Sequence, residues 1–129
     1  MKPKDQLALL IVDDSRTMCK VLRGCLVRCG YSDANLAEAG QGLEALDMLR
    51  ARTFDGVLAD WNMPDCDGLE LLARMRKLPG YEKTPFVMIS TESAREDVIQ
   101  AIRAGVADYV TKPVDPAALC LKLTAIFGA

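Results

Sequence analysis

Residues able to do chemistry follow several apolar runs of the sequence, one group at the end of each run. They comprise three carboxylates, two hydroxyls and one amine: Asp13, Asp14, Asp60, Ser90, Thr91 and Lys112. Three carboxylates in one crevice would repel one another, and a single lysine does not balance them. A hard divalent cation would, and oxygen ligands favour Mg²⁺ or Mn²⁺ over zinc. The residue types therefore predict a divalent-cation site, provided that the run ends meet in space.

A cation beside a carboxylate, an amine and a hydroxyl suggests phosphoryl transfer. Asp60 is the candidate nucleophile, because a carboxylate that ends an apolar strand is expected to be exposed at the strand's tip. Lys112 and the cation would neutralise the charge on the transferred phosphoryl oxygens. The Gly-Gln-Gly stretch at 40–42 has neither the length nor the lysine of a P-loop, so ATP is not expected as the direct donor.

The elements that would position these residues alternate along the chain. Continuous apolar runs predict strands buried on both faces, and apolar residues at helical spacing predict helices. The predicted strands are 7–12, 34–39, 56–59, 85–89 and 107–111. The helical patterns between and after them cover residues 18–29, 43–49, 68–78, 96–104 and 116–127.

This order, strand then helix five times over, predicts an α/β fold. With short connections it favours an open, doubly wound five-stranded parallel sheet, (βα)5, of the flavodoxin-like type. We expect residues 1–129 to form a single domain. Ligands bind at the carboxyl ends of strands in such sheets. All the chemically capable residues would therefore meet at one edge.

Each of these residues alone also has an ordinary structural interpretation. Asp14 or Ser15 could cap the first helix, Asp60 could begin a turn, and Lys112 could be a solvated surface lysine. Their coincidence at one edge of the sheet favours the chemical interpretation.

Several helix ends carry sequence signals. Ser93 and Glu96 form an S-x-x-E capping box for the fourth helix, which Gly105 should end. Asp115 is the expected N-cap of the last helix, with Pro116 at its first position.

The composition excludes several function classes. The chain has 129 residues, half of them hydrophobic, and a net charge of −2, so neither nucleic acid nor an anionic membrane is an expected partner. It contains no histidine, which excludes an imidazole of its own as base, nucleophile or phosphocarrier. No apolar run approaches the ~20 residues of a spanning helix and no signal peptide is present, so a cytoplasmic location is expected.

The five cysteines, an odd number without a C-x-x-C pair, do not indicate a disulfide framework, and reduced thiols fit better. Cys25 and Cys29 share a helical face, but no histidine is available to complete a zinc site. We expect both to be small core residues, and Cys66 to be an inert loop thiol rather than a redox-sensitive one.

A resemblance to a known family lies in five motifs that cover nearly the whole chain: LLIVDDSRTM, AEAGQGLEAL, DWNMPDCDGLELL, FVMISTES and AGVADYVTKP. In this order they resemble the receiver domains of two-component response regulators. They are particularly similar to the CheY-like single-domain chemotaxis regulators, to which DWNMP is closer than to receivers in general.

The resemblance implies a (βα)5 fold and a set of site residues. Asp60 would accept a phosphoryl group from a phosphohistidine on a histidine kinase or a histidine phosphotransfer protein. Mg²⁺ would be bound by Asp14, Asp60 and the backbone carbonyl of Asn62, with Asp13 acting mostly through a water. Lys112 would contact the phosphoryl group, and the bond between Lys112 and the following proline would be cis.

The resemblance also implies a switch. Ser90 would move to donate a hydrogen bond to the phosphoryl group, and the Tyr109 ring would turn into the space that it vacates. Asn62 and Glu92 flank the path of water and resemble the chemotaxis type, in which the phosphate is short-lived. Thr91 stands where the family usually has alanine or glycine, and it could slow phosphorylation or hydrolysis.

The expected output is binding of a downstream protein through the face built by the fourth helix, the fifth strand and the fifth helix. A flagellar motor switch is one candidate target; a phosphorelay shuttle, a phosphate sink or a receiver cut from a longer regulator are alternatives. The chain is not expected to be an enzyme beyond its own phosphorylation and dephosphorylation. A Mg²⁺-dependent aspartyl-phosphate hydrolase would need a second acid where Asn62 stands.

Arg16, Lys20 and Arg23 recur at helical spacing beside the acidic crevice. They could guide an acidic partner surface or form a solvated helix face, and the sequence leaves both interpretations open.

Overall fold

The predicted alternation of strands and helices is confirmed. The computed structural model describes residues 2–128 of the chain. Its strands are β1 Leu9–Val12, β2 Leu36–Ala39, β3 Gly56–Asp60, β4 Phe86–Ser90 and β5 Asp108–Thr111. Its α-helices are α1 Arg16–Arg28, α2 Gly42–Ala51, α3 Gly68–Arg76, α4 Arg95–Ala104 and α5 Pro116–Phe127. Within the described part, no helix is long and apolar enough to cross a membrane.

The strands form one parallel sheet in the order β2-β1-β3-β4-β5, which confirms the α/β, doubly wound (βα)5 prediction. The order reverses at β1, because β2 lies on one side of it and β3 on the other. Val12 of β1 lies beside Ala59 of β3, so Asp13 and Asp60 follow at neighbouring strand ends. Parallel sheets bind ligands at such a reversal.

An apolar layer covers each face of the sheet. Because side chains alternate along a strand, Leu10 and Val12 face the layer formed with α2, α3 and α4, while Leu9 and Ile11 face α1 and α5. All four side chains are fully buried. Burial of each such side chain contributes about 1.5 to 3 kcal/mol. The strands are thereby fixed, and their ends form a firm support for polar side chains.

Two of the predicted helix ends and one of the two candidate caps of the first helix are confirmed, and one predicted end is wrong. Ser15 caps α1, Asp115 caps α5, and Gly105 ends α4 in the left-handed region at φ +107°. The capping box of Ser93 is absent, because α4 begins at Arg95 and its N-cap is an alanine without a side-chain bond. The chain enters the helix one residue later than the pattern predicts, which leaves Ser93 outside the cap position.

The expectation of reduced thiols is wrong for one pair of cysteines. Cys29 and Cys120 form a disulfide, with Cα atoms 5.5 Å apart. Cys29 ends α1 and Cys120 lies in α5, and these helices are neighbours on the same face of the sheet. The pair is 91 positions apart in sequence, so only the packing of the two helices reveals it. The remaining cysteines, Cys19, Cys25 and Cys66, are free and buried.

The disulfide should stabilise the fold, because it closes a long loop in the unfolded chain. Cys29→Ser should lower the free energy of unfolding by about 2 to 4 kcal/mol in urea without reductant. A reductant should produce the same loss in the wild type and none in the variant. In the unfolded wild type, three thiols should react before reduction and five after it. Five reactive thiols before reduction would contradict the pairing.

Candidate functional site

The three carboxylates predicted at the strand ends come together. Asp13 and Asp14 follow β1, Asp60 ends β3, and one carboxylate oxygen of each lies within 4.8 Å of the others. Asp14 is exposed, but Asp13 is only 1% exposed and Asp60 only 8%. The expectation of an exposed Asp60 is therefore wrong. The side chain lies at the bottom of the crevice, because neighbouring strand ends and Lys112 stand beside it.

Lys112 reaches this cluster from the end of β5. Its Nζ lies 3.0 Å from Asp13 Oδ2 and 3.5 Å from Asp60 Oδ1. Burial alone would lower the pKa of Lys112, but the hydrogen bond to Asp13 and the charge of Asp60 outweigh it and raise the pKa. Lys112 is thus a fixed positive charge. The peptide bond from Lys112 to Pro113 is cis, as the resemblance implies.

Negative charge exceeds positive charge in the cluster. Burial raises the pKa of Asp60, with the neighbouring Asp13 adding to the effect and Lys112 offsetting part of it. Three carboxylates face one ammonium group, and every potential ligand is an oxygen atom. This donor set fits a hard divalent cation such as Mg²⁺ and does not fit a soft metal.

Ser90 and Tyr109 lie on neighbouring strands beside the cluster. Ser90 ends β4, is fully buried, and accepts a hydrogen bond from the backbone N–H of Glu92 at 3.1 Å. Tyr109 lies in β5 with its ring 7% exposed, and its hydroxyl donates to the Glu92 backbone carbonyl. The ring is therefore buried, and its turning on phosphorylation stays a prediction.

Trp61 is a site residue for which the sequence predicts no role. Its ring meets the Tyr109 ring edge-on, with centroids 6.3 Å apart at 78°. It is half-buried and directly follows Asp60. A large aromatic side chain directly after the candidate nucleophile is the sequence signal that could have indicated such a contact.

Asn62 and Glu92 face each other across the crevice. The side-chain amide of Asn62 donates to Glu92 Oε1 at 3.5 Å, and Thr91 beside them is exposed. The two loops that flank Asp60 therefore touch. The influence of these three residues on phosphate lifetime stays a prediction.

The basic stripe on α1 is not a free row of three charges. Arg23 is fixed by hydrogen bonds to Glu38 Oε2 at 2.6 Å, to Asp33 Oδ1 at 2.8 Å and to backbone carbonyls. Arg16 and Lys20 are exposed. A steering role is thus restricted to these two side chains.

Comparison with known proteins identifies the family. The family model described as response regulator receiver domain matches residues 9–124. The chain belongs to the response regulator receiver domain family. A chemotaxis protein CheY homolog of Campylobacter jejuni is 42% identical over 123 residues, covering 95% of this chain and 93% of that protein. The chemotaxis protein CheY1 of Helicobacter pylori is 41% identical, covering 95% and 98%.

Solved structures of receiver domains agree with the fold. A putative response regulator from Chloroflexus aurantiacus superposes with a TM-score of 0.87 at 30% identity, covering 99% of this chain and 100% of that one. The chemotaxis protein CheY4 of Vibrio cholerae has a TM-score of 0.84 at 29% identity, covering 94% and 98%. Receiver domains are signalling proteins that generally bind Mg²⁺ at an acidic pocket and interact with histidine kinases and downstream targets.

Neutralising Asp60 should stabilise the receiver domain when no metal is present. Because the pKa of Asp60 is raised, the folded state binds its proton more tightly than the unfolded chain does, and this contribution is lost as the pH rises through the folded pKa. At neutral pH, Asp60→Asn should therefore raise the unfolding temperature in EDTA by a few degrees. This corresponds to a gain of about 1 kcal/mol in the free energy of unfolding.

Scanning calorimetry with and without Mg²⁺ measures this effect. Mg²⁺ should reduce the difference in unfolding temperature between Asp60→Asn and the wild type, because it stabilises the wild type by binding. Asp47→Asn is the control, since that carboxylate is 81% exposed on α2 and should leave the midpoint unchanged. A lower midpoint for Asp60→Asn would contradict the repulsive cluster.

Proposed function

We propose that this receiver domain is a phosphorylation-activated switch in chemotaxis signalling, with Asp60 as its phosphoacceptor. The observation that carries the proposal is the cluster of Asp13, Asp14, Asp60 and Lys112 at the strand ends. The chemotaxis assignment is supported by the C. jejuni and H. pylori relatives, whose names place them in that process. Residues 1–129 would act as one cytoplasmic receiver domain.

In the proposed reaction, a carboxylate oxygen of Asp60 attacks the phosphorus of a phosphohistidine. The phosphorus–nitrogen bond breaks, the imidazole remains on the donor protein, and an aspartyl phosphate forms. The donor must be another molecule, because this chain has no histidine. A histidine kinase or a histidine phosphotransfer protein has the required chemistry. Hydrolysis by water would return Asp60 to its carboxylate form.

Two positive groups would balance the charge of the phosphoryl oxygens. Lys112 lies close enough to Asp60 to pair with one of them. Asp13, Asp14, Asp60 and the Asn62 backbone carbonyl would hold Mg²⁺, which when bound would neutralise further charge. Without a cation, one ammonium group would face three carboxylates and an incoming dianion.

The proposed switch acts through the loop after β4. A phosphoryl group brings close to two negative charges. The Ser90 hydroxyl, which now accepts from Glu92 N–H, would turn and donate to it. Since the Tyr109 hydroxyl binds the same residue, this loop links the two side chains. Phosphate shifts the equilibrium only through a difference in interaction between the two states. Here it would favour the state in which Ser90 donates to the phosphoryl group and the Tyr109 ring is buried.

The proposed output surface is the α4–β5–α5 face. A cavity of about 400 Å³ lies there, lined among others by Val98, Ile102, Tyr109 and Lys122. The Ile102 side chain is 57% exposed, which offers apolar area to a partner. A downstream protein would dock on this face, and a flagellar motor switch fits the chemotaxis assignment.

The alternatives to this function differ in how long the phosphate survives and where it goes. A phosphorelay shuttle or phosphate sink would exchange the phosphoryl group with histidine-containing proteins. A receiver of a longer regulator is a further alternative. A hydrolase of small phosphates is disfavoured, because Asn62 stands where such an enzyme needs a second acid. The chemistry would be confined to the domain's own phosphorylation and dephosphorylation.

The phosphorylated form should appear and decay within about a minute. The protein is treated with a small acyl or amido phosphate and Mg²⁺, the donor is removed, and the intact mass is followed. The wild type should gain one phosphoryl group and Asp60→Asn none. Equal gain by both would overturn the assignment of Asp60. Persistence for hours would favour the shuttle.

Replacing the residues that touch across the crevice should change the lifetime but not the acceptor. Asn62→Ala and Glu92→Ala each remove one partner of their hydrogen bond and alter the access of water to Asp60. Each variant should gain one phosphoryl group but change the decay rate by at least about 3-fold, consistent with a barrier change near 0.7 kcal/mol. Unchanged decay in both would contradict the proposed lifetime role.

A further inference from the structure

The loop that leaves Asp60 is attached to a helix from elsewhere in the sequence. The α2 helix begins at Gly42, and its N-cap residue Gln41 makes no side-chain cap bond. Both oxygens of the Asp65 carboxylate take that role instead. They accept hydrogen bonds from the backbone N–H of Gly42 at 3.2 Å and of Leu43 at 3.0 Å. A carboxylate at a helix N-terminus is favoured by the helix dipole as well.

The same junction is closely packed beneath the carboxylate. A Cβ added to Gly42 would lie 2.6 Å from the Cys66 backbone oxygen and 2.7 Å from its Cβ. Glycine is therefore required for this close approach of α2 and the loop. Cys66 is 1% exposed, and its Sγ would lie 3.1 Å from the same added Cβ. The bonds to Leu43 and Gly42 lower the pKa of Asp65, which keeps the carboxylate charged at neutral pH.

Hydrogen bonds also fix the loop where it meets α3. The Gly68 N–H donates to the Trp61 carbonyl at 2.7 Å, and Asp67 caps α3 by accepting from Glu70 N–H at 2.9 Å. Met63, between these points, is buried in the core. The segment 61–68 is thus held at both ends, in its middle and by α2. Asn62 lies between the attachments at Trp61 and Met63, so the position of its backbone depends on them.

We propose that Asp65 is a positioning residue, which anchors the loop after β3 to the N-terminus of α2 and thereby holds Asn62 beside Asp60. The inference deepens the proposed function, because Asn62 supplies one of the expected Mg²⁺ ligands. Asp65 does not touch the cation or the phosphoryl group. It acts through the backbone of the loop.

The test uses the single tryptophan, Trp61, as a reporter of the loop and the metal. Mg²⁺ is titrated while Trp61 fluorescence is followed, and backbone hydrogen exchange is measured in EDTA. Asp65→Ala should weaken Mg²⁺ affinity by about 3- to 10-fold, less than the 10- to 100-fold found for groups that bond the ligands directly. Exchange of the Gly68 amide should accelerate in the same variant. Asp65→Asn keeps one acceptor oxygen. Its Mg²⁺ affinity and its Gly68 exchange rate should therefore lie between those of the wild type and Asp65→Ala.

Two further variants separate positioning from helix stability and from charge. Gln41→Asn gives α2 a neutral N-cap of its own. In the double variant Gln41→Asn/Asp65→Ala, the unfolding temperature should recover while the Mg²⁺ affinity stays weak. Glu70→Gln removes one exposed charge near the loop and should leave the affinity within about 2-fold of wild type.

Three outcomes would overturn the inference. Recovery of Mg²⁺ affinity in the double variant would mean that Asp65 only stabilises α2. If Glu70→Gln lost as much Mg²⁺ affinity as Asp65→Ala, the effect of Asp65 would come from its charge acting at a distance. Unchanged affinity and exchange in Asp65→Ala would exclude any anchoring role. A wild type without a Mg²⁺ response would instead overturn the metal site of the proposed function, and this inference with it.

Discussion

The arrangement of the site depends on the repulsion between carboxylates that the fold brings together in a nearly closed crevice. Asp13 and Asp60 are both almost inaccessible, and the apolar layers on both sides of the sheet prevent the strands from moving apart. The interaction that opposes this repulsion is the ammonium group of Lys112. It is insufficient for three negative charges, so the folded protein gains stability from any cation or proton that enters. A site with such an excess of negative charge favours the binding of ligands that carry positive charge.

The walls on the two sides of Asp60 differ in how firmly they are held. The segment 61–68 is tied to α2, to α3 and to the core. The segment after β4 is held by a few hydrogen bonds, in which Ser90 and Tyr109 both engage Glu92. Trp61 contacts Tyr109, whose hydroxyl donates to Glu92 in the segment after β4. This contact therefore connects the two walls. A group bound between them would contact a segment with several attachments on one side and a segment with few on the other.

Much of the fold could be predicted from sequence, because strands buried on both faces leave long apolar runs and the residues after them share one edge. The role of Asp115 as an N-cap could be predicted equally well, since a cap residue followed by proline is a local signal. The burial of Asp60, the Cys29–Cys120 pair and the contact of Asp65 with α2 could not be predicted. Each depends on the distance between elements far apart in the chain, on which local patterns carry no information.

The pairing of Lys112 with Asp13 joins residues 99 positions apart, at the two ends of the strand series. On the ribosome, the carboxylates after β1 and β3 emerge well before β5, and β5 pairs only with β4 at the edge of the sheet. Any pairing of β1 with β3 before β5 joins the sheet would bring Asp13 and Asp60 together without the lysine that opposes their charge. The addition of β5 therefore both completes the sheet and brings the lysine that offsets part of this charge, which couples formation of the site to the pairing of β5 with β4.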